Sequence, residues 1–251
     1  MSPRKRIGVM VPSTNTTCEA DFQLTVPRDV TVHGQRLWLT NESTGDEAYV
    51  RMNAEIESGA RYLATANVDV VVYGCTTGSF YKGPGWDTQM LELIRREAGV
   101  PAVATSPSVV EALRFFGARR LSVATPYPEW NNQRLRAYLE AQGFEVLNVD
   151  GEPRAAAAGN QGINDQDPDV VAEFAARVCR PEADALLCSC TAWRSVEAIA
   201  AIEARTGKPA VSSNQSTIWT ALRALGVTRP IVGFGRLLEN LAPARPAPAA
   251  R

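Results

Sequence analysis

Two segments of the chain end an apolar run on a cysteine that is followed by hydroxyl residues. The segment "YGCTTGSF", residues 73 to 80, contains Cys75, and "LCSCTAWR", residues 187 to 194, contains Cys190. A thiol has an ordinary pKa of about 8.5, which the N-terminus of a helix can lower. One ionised and one protonated thiol form a base and an acid, or a nucleophile and an acid. Buried cysteines are common, but the equivalent placement of these two favours a catalytic pair.

Small polar side chains are concentrated in two further segments, "PSTNTTCEADF" (12 to 22) and "SSNQST" (212 to 217). Each offers hydroxyls, amides and free backbone N–H groups at the start of a predicted helix, where a carboxylate is stabilised. The first segment is equally well explained as a capped helix start. Within it, Asn15 can donate to a carboxylate without adding charge. These loops, which contain few basic residues, predict a small carboxylic-acid ligand held by neutral donors.

No segment has the pattern of a nucleotide or metal site. The Walker pattern is absent, and "GFG" (233 to 235) lacks the rest of a dinucleotide fingerprint. The "CSC" run has no spaced second pair of zinc ligands, and the single histidine, His33, lies in a strand-like segment without an evident partner. We therefore predict no cofactor and no metal, and a structural role for His33. Cys18, Cys179 and Cys188 are assigned to packing.

These candidate residues lie on a chain in which short β-rich runs alternate with helical patterns, as in β-α units on a parallel sheet. Apolar residues recur at helical spacing over 46 to 66, which predicts one amphipathic helix there. The predicted strands cover residues 6–12, 30–39, 68–74, 101–105, 120–126, 144–150, 183–189 and 209–213. Further helices are predicted over residues 130–142, 168–179 and 194–206. The fold class is therefore α/β with parallel sheets.

The two halves of the chain also match each other. "RIGVMVPS" aligns with "RLSVATPY" at an offset of 114 residues, and Asp69 precedes Cys75 by six positions as Asp184 precedes Cys190. "AGVPAVATS" matches "TGKPAVSSN", and "ALRFFG" matches "ALRALG", in the same order. Such a repeat predicts two similar α/β halves. Because open α/β sheets bind ligands beyond the carboxyl ends of their strands, the two cysteines are expected to face each other across a cleft.

The repeat also gives the expected domain organisation. The first half is expected to cover residues 1–112 and the second 113–241, with C-terminal elements able to pack back on the first half. The tail, residues 242–251, is rich in proline and alanine without an apolar period and is predicted to be disordered.

Composition and length exclude several classes of partner. The 251 residues include 26 basic and 27 acidic ones, so no nucleic-acid surface is expected. No apolar stretch reaches the roughly 20 residues of a membrane helix, and the N-terminal segment lacks a signal-peptide pattern. Five cysteines are too few for a disulfide scaffold, and their number is odd. We therefore predict a cytoplasmic protein with reduced thiols that binds neither nucleic acid nor a membrane.

Five segments together resemble the aspartate/glutamate racemase superfamily, and within it the branch of maleate cis-trans isomerases and arylmalonate decarboxylases. They are "VPSTNTTCEADF", "YGCTTGSF", "ATPY", "LLCSCTAW" and "GKPAVSSNQSTIWTALR", and the similarity runs from about residue 6 to 235. The resemblance implies two flavodoxin-like halves related by a pseudo-two-fold axis, an active site between them and cofactor-independent chemistry. By position, it implies that Cys75 and Cys190 are the catalytic thiols.

The resemblance also implies the residues that hold the substrate. Asn15 would bind a carboxylate, and Tyr127 of "ATPY" matches a tyrosine that contacts the substrate. The family asparagine ahead of an Asp-Pro pair corresponds to Asn160, with Asn164 as the alternative. The remaining expected donors are hydroxyl residues of the same loops: Ser13, Thr76, Thr77 and Thr191.

Both thiols are expected in an isomerase or a racemase, because the decarboxylases carry glycine at the position of Cys75. By contrast, "SFYKG" (79 to 83) resembles the decarboxylases. We predict a maleate cis-trans isomerase in which Cys75 adds to maleate as a thiolate and Cys190 acts as the acid. After rotation about the resulting single bond, elimination gives fumarate. The alternatives are a two-thiol racemase of an amino-acid-like or hydantoin-type substrate, an arylmalonate-type decarboxylase, and a non-enzymatic small-acid binding protein.

Two further expectations concern the size of the pocket and the assembly. Phe80, Tyr81 and Trp193 are close in sequence to the two cysteines, so we take them as candidate walls of a pocket that admits groups bulkier than maleate. The family resemblance suggests a homodimer or a homotetramer.

Overall fold

The computed structural model describes residues 4–40 and 45–242, and in these ranges strands and helices alternate as predicted. The elements of the first half are β1 (Lys5–Pro12), α1 (Cys18–Thr25), β2 (Val30–Leu37), α2 (Gly45–Asn53), α3 (Ile56–Thr65), β3 (Val70–Tyr73), α4 (Thr76–Phe80), α5 (Trp86–Ala98), β4 (Ala102–Ala104) and α6 (Thr105–Phe115). Those of the second half are β5 (Arg120–Thr125), α7 (Glu129–Ala141), β6 (Glu145–Gly151), α8 (Pro153–Asn164), α9 (Pro168–Val178), β7 (Ala185–Cys188), α10 (Ser195–Thr206), β8 (Ala210–Ser212), α11 (Ser213–Ala224) and α12 (Gly235–Glu239).

The strands form two four-stranded parallel sheets with the same topology. The first sheet has the order β2-β1-β3-β4 and the second the order β6-β5-β7-β8, so each strand of the second half occupies the place of its counterpart in the first. The central strands β1 and β3 are apolar along most of their length because helices cover both faces of the sheet. The predicted fold class, α/β with two similar parallel-sheet halves, is confirmed.

The repeated aspartates have the same structural role in both halves. Asp69 Oδ2 accepts a hydrogen bond from the backbone N–H of Arg6 at 2.7 Å, and Asp184 Oδ2 accepts one from the backbone N–H of Arg120 at 2.8 Å. Each carboxylate thus joins the start of the cysteine-bearing strand to the start of its neighbour. The sequence match therefore reflects equivalent strand pairing.

The amphipathic helix predicted over residues 46–66 is divided into α2 and α3. The chain turns at Ala54 and Glu55, because Asn53 forms tertiary hydrogen bonds: its Oδ1 accepts from the Tyr73 hydroxyl and its Nδ2 donates to the Gly78 carbonyl at 3.2 Å. Glu55 Oε2 accepts from the backbone N–H of Trp38 at 2.7 Å. The prediction of one continuous helix is wrong, since helical periodicity persists across a turn that tertiary hydrogen bonds impose.

The two halves share one core. A large apolar cluster extends from β1 through α6 and α11 to β7, and α11 packs against α6, β3 and β4 of the first half. The C-terminal elements thus pack back on the first half. The expected boundary after residue 112 falls within α6, so we place the division in the turn at 116–119 instead.

Two expectations concern the ends of the chain and membranes. All of the predicted disordered tail except residue 242 lies outside the described residues. Among the helices of residues 4–40 and 45–242, none has the length and apolar character needed to cross a bilayer.

Candidate active site

A cavity of about 220 Å³ lies between the two halves, at the carboxyl ends of the central strands. This is the position at which open α/β sheets bind ligands. No Asp, Glu, His, Lys or Arg lines it in the part of the chain that the structure describes. Its lining consists of Pro12, Thr14, Asn15, Leu39, Gly45, Tyr49, Cys75, Thr76, Thr77, Pro126, Tyr127, Pro128, Trp130, Asn131, Gly159, Asn160, Ile163, Cys190, Thr191 and Ala192.

The two predicted thiols both line this cavity. Cys75 follows β3 and caps the N-terminus of α4, where its Sγ accepts from the backbone N–H of Gly78 at 3.4 Å. Cys190 follows β7, and its Sγ accepts from the backbone N–H of Ala192 at 3.4 Å. The side chains are only 6% and 7% exposed. The topology thus brings together two residues that are 115 positions apart in the sequence.

Burial controls the ionisation of both thiols. It raises the pKa of Cys75 to about 12, although the Gly78 N–H opposes the change. It raises the pKa of Cys190 to about 11, although the Ala192 N–H and the Tyr127 hydroxyl oppose it. The sequence predicted that backbone N–H groups at a helix N-terminus would lower the thiol pKa. Such groups do lower it here, but desolvation raises the pKa by more. Both thiols are protonated at neutral pH before a ligand enters.

Asn15 joins the two halves at one side of the cavity. Its Oδ1 accepts from the backbone N–H groups of Thr17 and Cys18 at 3.0 and 2.9 Å, which fixes the amide at the start of α1. Its Nδ2 donates to Thr191 Oγ1 at 3.1 Å, and Thr191 follows Cys190 directly. An amide Nδ2 carries two hydrogens, so one N–H remains for a ligand.

Tyr127 lies between the two cysteine loops. Its hydroxyl interacts with Thr76 of the first half and with Cys190 of the second, and burial raises its pKa. The Thr76 hydroxyl donates to Ser213 Oγ at 3.0 Å, which ties the start of α4 to α11. A neutral phenol thus stands beside Cys190 as a hydrogen-bond donor, whereas the single O–H of Thr76 is used by Ser213.

The structure distinguishes between the two candidate asparagines of α8. Gly159 has a left-handed φ of 67° and interrupts the helical conformation, after which Asn160 and Ile163 line the cavity. Asn164 does not line it, because its Nδ2 donates to the Thr14 and Asn160 carbonyls at 3.0 and 2.8 Å. Asn160 is therefore the candidate for substrate binding, and Asn164 holds the loop before α1.

The sequence matches known proteins over nearly its full length. A family model described as arylmalonate decarboxylase matches residues 7–238. The chain belongs to the arylmalonate decarboxylase family. A maleate isomerase of Pseudomonas putida is 29% identical over 96% of this chain and 99% of its own. An arylmalonate decarboxylase of Bordetella bronchiseptica is 30% identical over 93% of this chain and 96% of its own.

A solved structure adds chemical information about the family. The Nocardia farcinica maleate cis-trans isomerase, in a variant with cysteine replaced by serine, holds a covalently bound succinylcysteine intermediate. It superimposes with a TM-score of 0.85 at 25% identity and covers 94% of this chain and 98% of its own. These similarities confirm the predicted branch of the aspartate/glutamate racemase superfamily and the prediction that this chain is an enzyme.

Some predicted residues of this family member lie behind the cavity. Ser13 does not line it, since Ser13 Oγ donates to the Leu39 carbonyl at 2.7 Å and accepts from the Leu39 N–H at 2.9 Å. We therefore correct its predicted role from substrate binding to support of the loop. The "SSNQST" segment (212–217) is fully buried at the start of α11 and likewise supports the site.

One member of that segment, Asn214, connects a buried carboxyl to the second cysteine loop. Its Nδ2 donates to Asp21 Oδ2 at 2.7 Å and to the Thr191 carbonyl at 2.8 Å. Burial raises the pKa of Asp21 to about 8. Sequence analysis missed this carboxyl, because an acidic residue in a first helical turn is normally solvent-exposed.

The aromatic walls also differ from the expected ones. Phe80 stacks on Tyr138, and Trp193 donates from Nε1 to Gln166 Oε1 at 2.5 Å, so both are directed away from the cavity. Tyr81 does not line it either. The decarboxylase-like segment "SFYKG" (79–83) therefore lies outside the cavity wall. The prediction of Phe80, Tyr81 and Trp193 as pocket walls is wrong, because each packs against residues outside the cavity: Phe80 on Tyr138, Tyr81 on Trp86 and Trp193 on Phe174.

The residues that form these walls are Leu39, Tyr49, Trp130 and Ile163, together with the polar Asn131. Sequence analysis missed Asn131 and Trp130, although "WNN" (130–132) lies at a helix start and begins three residues after Tyr127. Tyr49 lies in α2, within the segment predicted to be an amphipathic helix, and the sequence pattern showed no link between this helix and the site. His33 lies in β2, away from the cavity, where its Nε2 is 3.0 Å from Thr31 Oγ1.

Proposed function

We propose that this protein catalyses the cis-trans isomerisation of maleate to fumarate. The observation that carries the proposal is the presence of two thiols, from equivalent strand ends of the two halves, in one small cavity whose described lining contains no charged side chain. Relatives that match nearly the whole chain are maleate isomerases. A structural neighbour named as such holds a succinylated cysteine.

The Cys75 thiol first releases its proton to solvent, and the resulting thiolate adds to one alkene carbon. The new C–S bond uses the sulfur electron pair, and the π electrons move to the other alkene carbon and into its carboxylate. Cys190 then gives its proton to that carbon and becomes a thiolate. The backbone N–H of Gly78 stabilises the Cys75 thiolate, and the N–H of Ala192 stabilises the Cys190 thiolate.

The second step restores the double bond. The two carbons are joined by a single bond in the adduct, so rotation can bring the carboxylates to opposite sides. The Cys190 thiolate removes a proton, the double bond forms again, and the C–S bond to Cys75 breaks to release fumarate. Neutral donors of the lining, including Asn15, Tyr127 and Asn160, can stabilise the carboxylate charge that develops in the adduct-forming step.

The proposal is tested by following the olefinic proton signals of maleate and fumarate by NMR. We expect Cys75→Ser and Cys190→Ser to lower turnover at least about 1000-fold, because each removes a reacting group. Cys179→Ser is the matched control, since Cys179 is partly exposed and lies outside the cavity. The Cys190→Ser variant should also gain the mass of one maleic acid on Cys75. Wild-type turnover by Cys75→Ser would exclude the mechanism.

A second candidate is decarboxylation of an arylmalonate. The family description and the Bordetella bronchiseptica relative favour it, as do the apolar side chains of Leu39, Trp130 and Ile163 in the cavity wall. In that reaction only one thiol is needed, to protonate the carbanion left by loss of carbon dioxide. Release of carbon dioxide from phenylmalonate, unaffected by Cys75→Ser, would support this candidate instead.

The assembly and the location of the protein stay predictions. The relatives act on small carboxylic acids according to their names, and we extend that class of substrate to this chain. A homodimer or homotetramer is expected from the family resemblance and can be measured by size-exclusion chromatography with light scattering. The cytoplasmic location can be measured by cell fractionation.

A further inference from the structure

One polar atom of the cavity lining has no hydrogen-bond partner among the described residues. Asn131 is in the first turn of α7 and is 2% exposed, and its Nδ2 donates to Thr77 Oγ1 at 2.9 Å. Its Oδ1 is buried and unpaired. Buried polar atoms are nearly always paired, because an unpaired one loses its hydrogen bonds to water without replacement.

A half-turn of the amide changes the unpaired group from an acceptor to a donor. The two ends of an asparagine amide have nearly the same shape, and the Thr77 hydroxyl can donate as well as accept. After the turn, Thr77 Oγ1–H donates to Asn131 Oδ1, and the Tyr49 hydroxyl, which interacts with Thr77, can donate to Thr77 Oγ1. Every oxygen of the group is then paired. The Asn131 Nδ2 then has two N–H groups without an acceptor among the described residues, and a carboxylate in the cavity that Asn131 lines would supply one.

The same arrangement occurs on the other side of the cavity. Asn15 follows β1 of the first half and is bonded to Thr191, next to Cys190 of the second half. Asn131 follows β5 of the second half and is bonded to Thr77, two residues after Cys75 of the first half. Each half thus supplies one amide to the cysteine loop of the other. Maleate likewise has two equivalent ends, each with a carboxylate.

We infer that Asn131 is a substrate-binding residue that donates from Nδ2 to one carboxylate, while Asn15 serves the other, and that this pair selects dicarboxylates. The inference rests on the proposed function in taking the substrate to be a dicarboxylate. Since the described cavity lining has no cation, each amide replaces part of the hydration that a carboxylate loses on entry.

Equilibrium binding of succinate, which has no double bond to react, tests the inference by calorimetry. We expect Asn131→Ala to weaken succinate binding by about 10- to 100-fold, as for loss of one hydrogen bond to a charged group. Monomethyl succinate, which has one carboxylate, should bind the variant and the wild type within about 3-fold of each other. Asn131→Asp should weaken succinate binding more than Asn131→Ala, because it places an acceptor and a negative charge at the carboxylate.

The matched control is Asn148→Ala in β6, which removes a buried, hydrogen-bonded asparagine away from the cavity and should leave succinate binding unchanged. The inference would be overturned if Asn131→Ala weakened the binding of succinate and of monomethyl succinate equally, or weakened neither. It would also be overturned if Asn131→Asp bound succinate as tightly as the wild type, or if the wild type did not bind succinate. Isomerase activity is measured separately. Dependence of succinate binding on Asn131 without turnover of maleate would contradict the proposed reaction alone.

Discussion

Replacement of Asp21 by asparagine should make the protein more stable at high pH. Asp21 is 2% exposed between the two halves and accepts a hydrogen bond from Asn214. Burial raises its pKa from 3.8 to about 8, and the charge of Glu197 adds to this effect, whereas Asn214 and Arg194 oppose it. The asparagine of the Asp21→Asn variant keeps an oxygen acceptor for Asn214 and removes the ionisable group.

The magnitude follows from the two pKa values. The unfolded chain releases the Asp21 proton near pH 3.8, whereas the folded chain retains it until about pH 8. The contribution to stability is therefore fully present below pH 3.8 and is lost as the pH rises through about 8. At about 1.4 kcal/mol per pH unit, the window corresponds to roughly 6 kcal/mol as an upper limit. Water penetration and local relaxation reduce the cost of a buried charge, so we expect about 3 kcal/mol.

Urea unfolding of both proteins below pH 4 and above pH 8 measures this difference. With an m value of about 3 kcal/mol per M, the variant should unfold at about 1 M more urea at high pH and at the same concentration at low pH. Asp184→Asn is a control of opposite sign: Arg120 lowers the pKa of Asp184 to about 2, so this variant should lose stability at neutral pH and not near pH 2. Parallel pH dependences of wild type and Asp21→Asn would refute the reasoning.

Two other perturbations act on the thiols. A Cβ at Gly78 would lie 2.1 Å from the Tyr73 hydroxyl and 3.1 Å from Cys75 Sγ, so Gly78→Ala should cost about 1 to 3 kcal/mol in urea unfolding and lower kcat about 100-fold. In the control Gly34→Ala, the added Cβ contacts only the Glu19 side chain, so this variant should change neither the stability nor kcat. A Gly78→Ala variant with the kcat of the wild type would contradict this account. Since burial raises the pKa of the Cys75 nucleophile to about 12, kcat/KM for maleate should rise about tenfold per pH unit from pH 7 to 9. A plateau below pH 8 would show that the thiolate forms more readily than burial predicts.

The sequence by itself determined the framework and the two thiols. Strand patterning follows from the need to bury apolar residues on both faces of a parallel sheet, so all eight strands were predicted. The internal repeat placed Cys75 and Cys190 at equivalent strand ends, which in such sheets meet at a ligand cleft. Family resemblance added Asn15, Tyr127 and Asn160, and all three line the cavity.

Only the tertiary structure decided how the cavity is walled and what supports it. Asn131 lines the cavity because α7 carries it to Thr77, 54 residues away in the sequence, and a helix-start asparagine gives no sign of such a contact. Ser13 and Asn164 belong to the same polar segments as true lining residues, but their hydrogen bonds go to the backbone of neighbouring loops. The direction of a side chain at a loop depends on partners from the other half of the chain. Local sequence patterns do not encode those partners, and burial between the halves also sets the pKa values of the thiols.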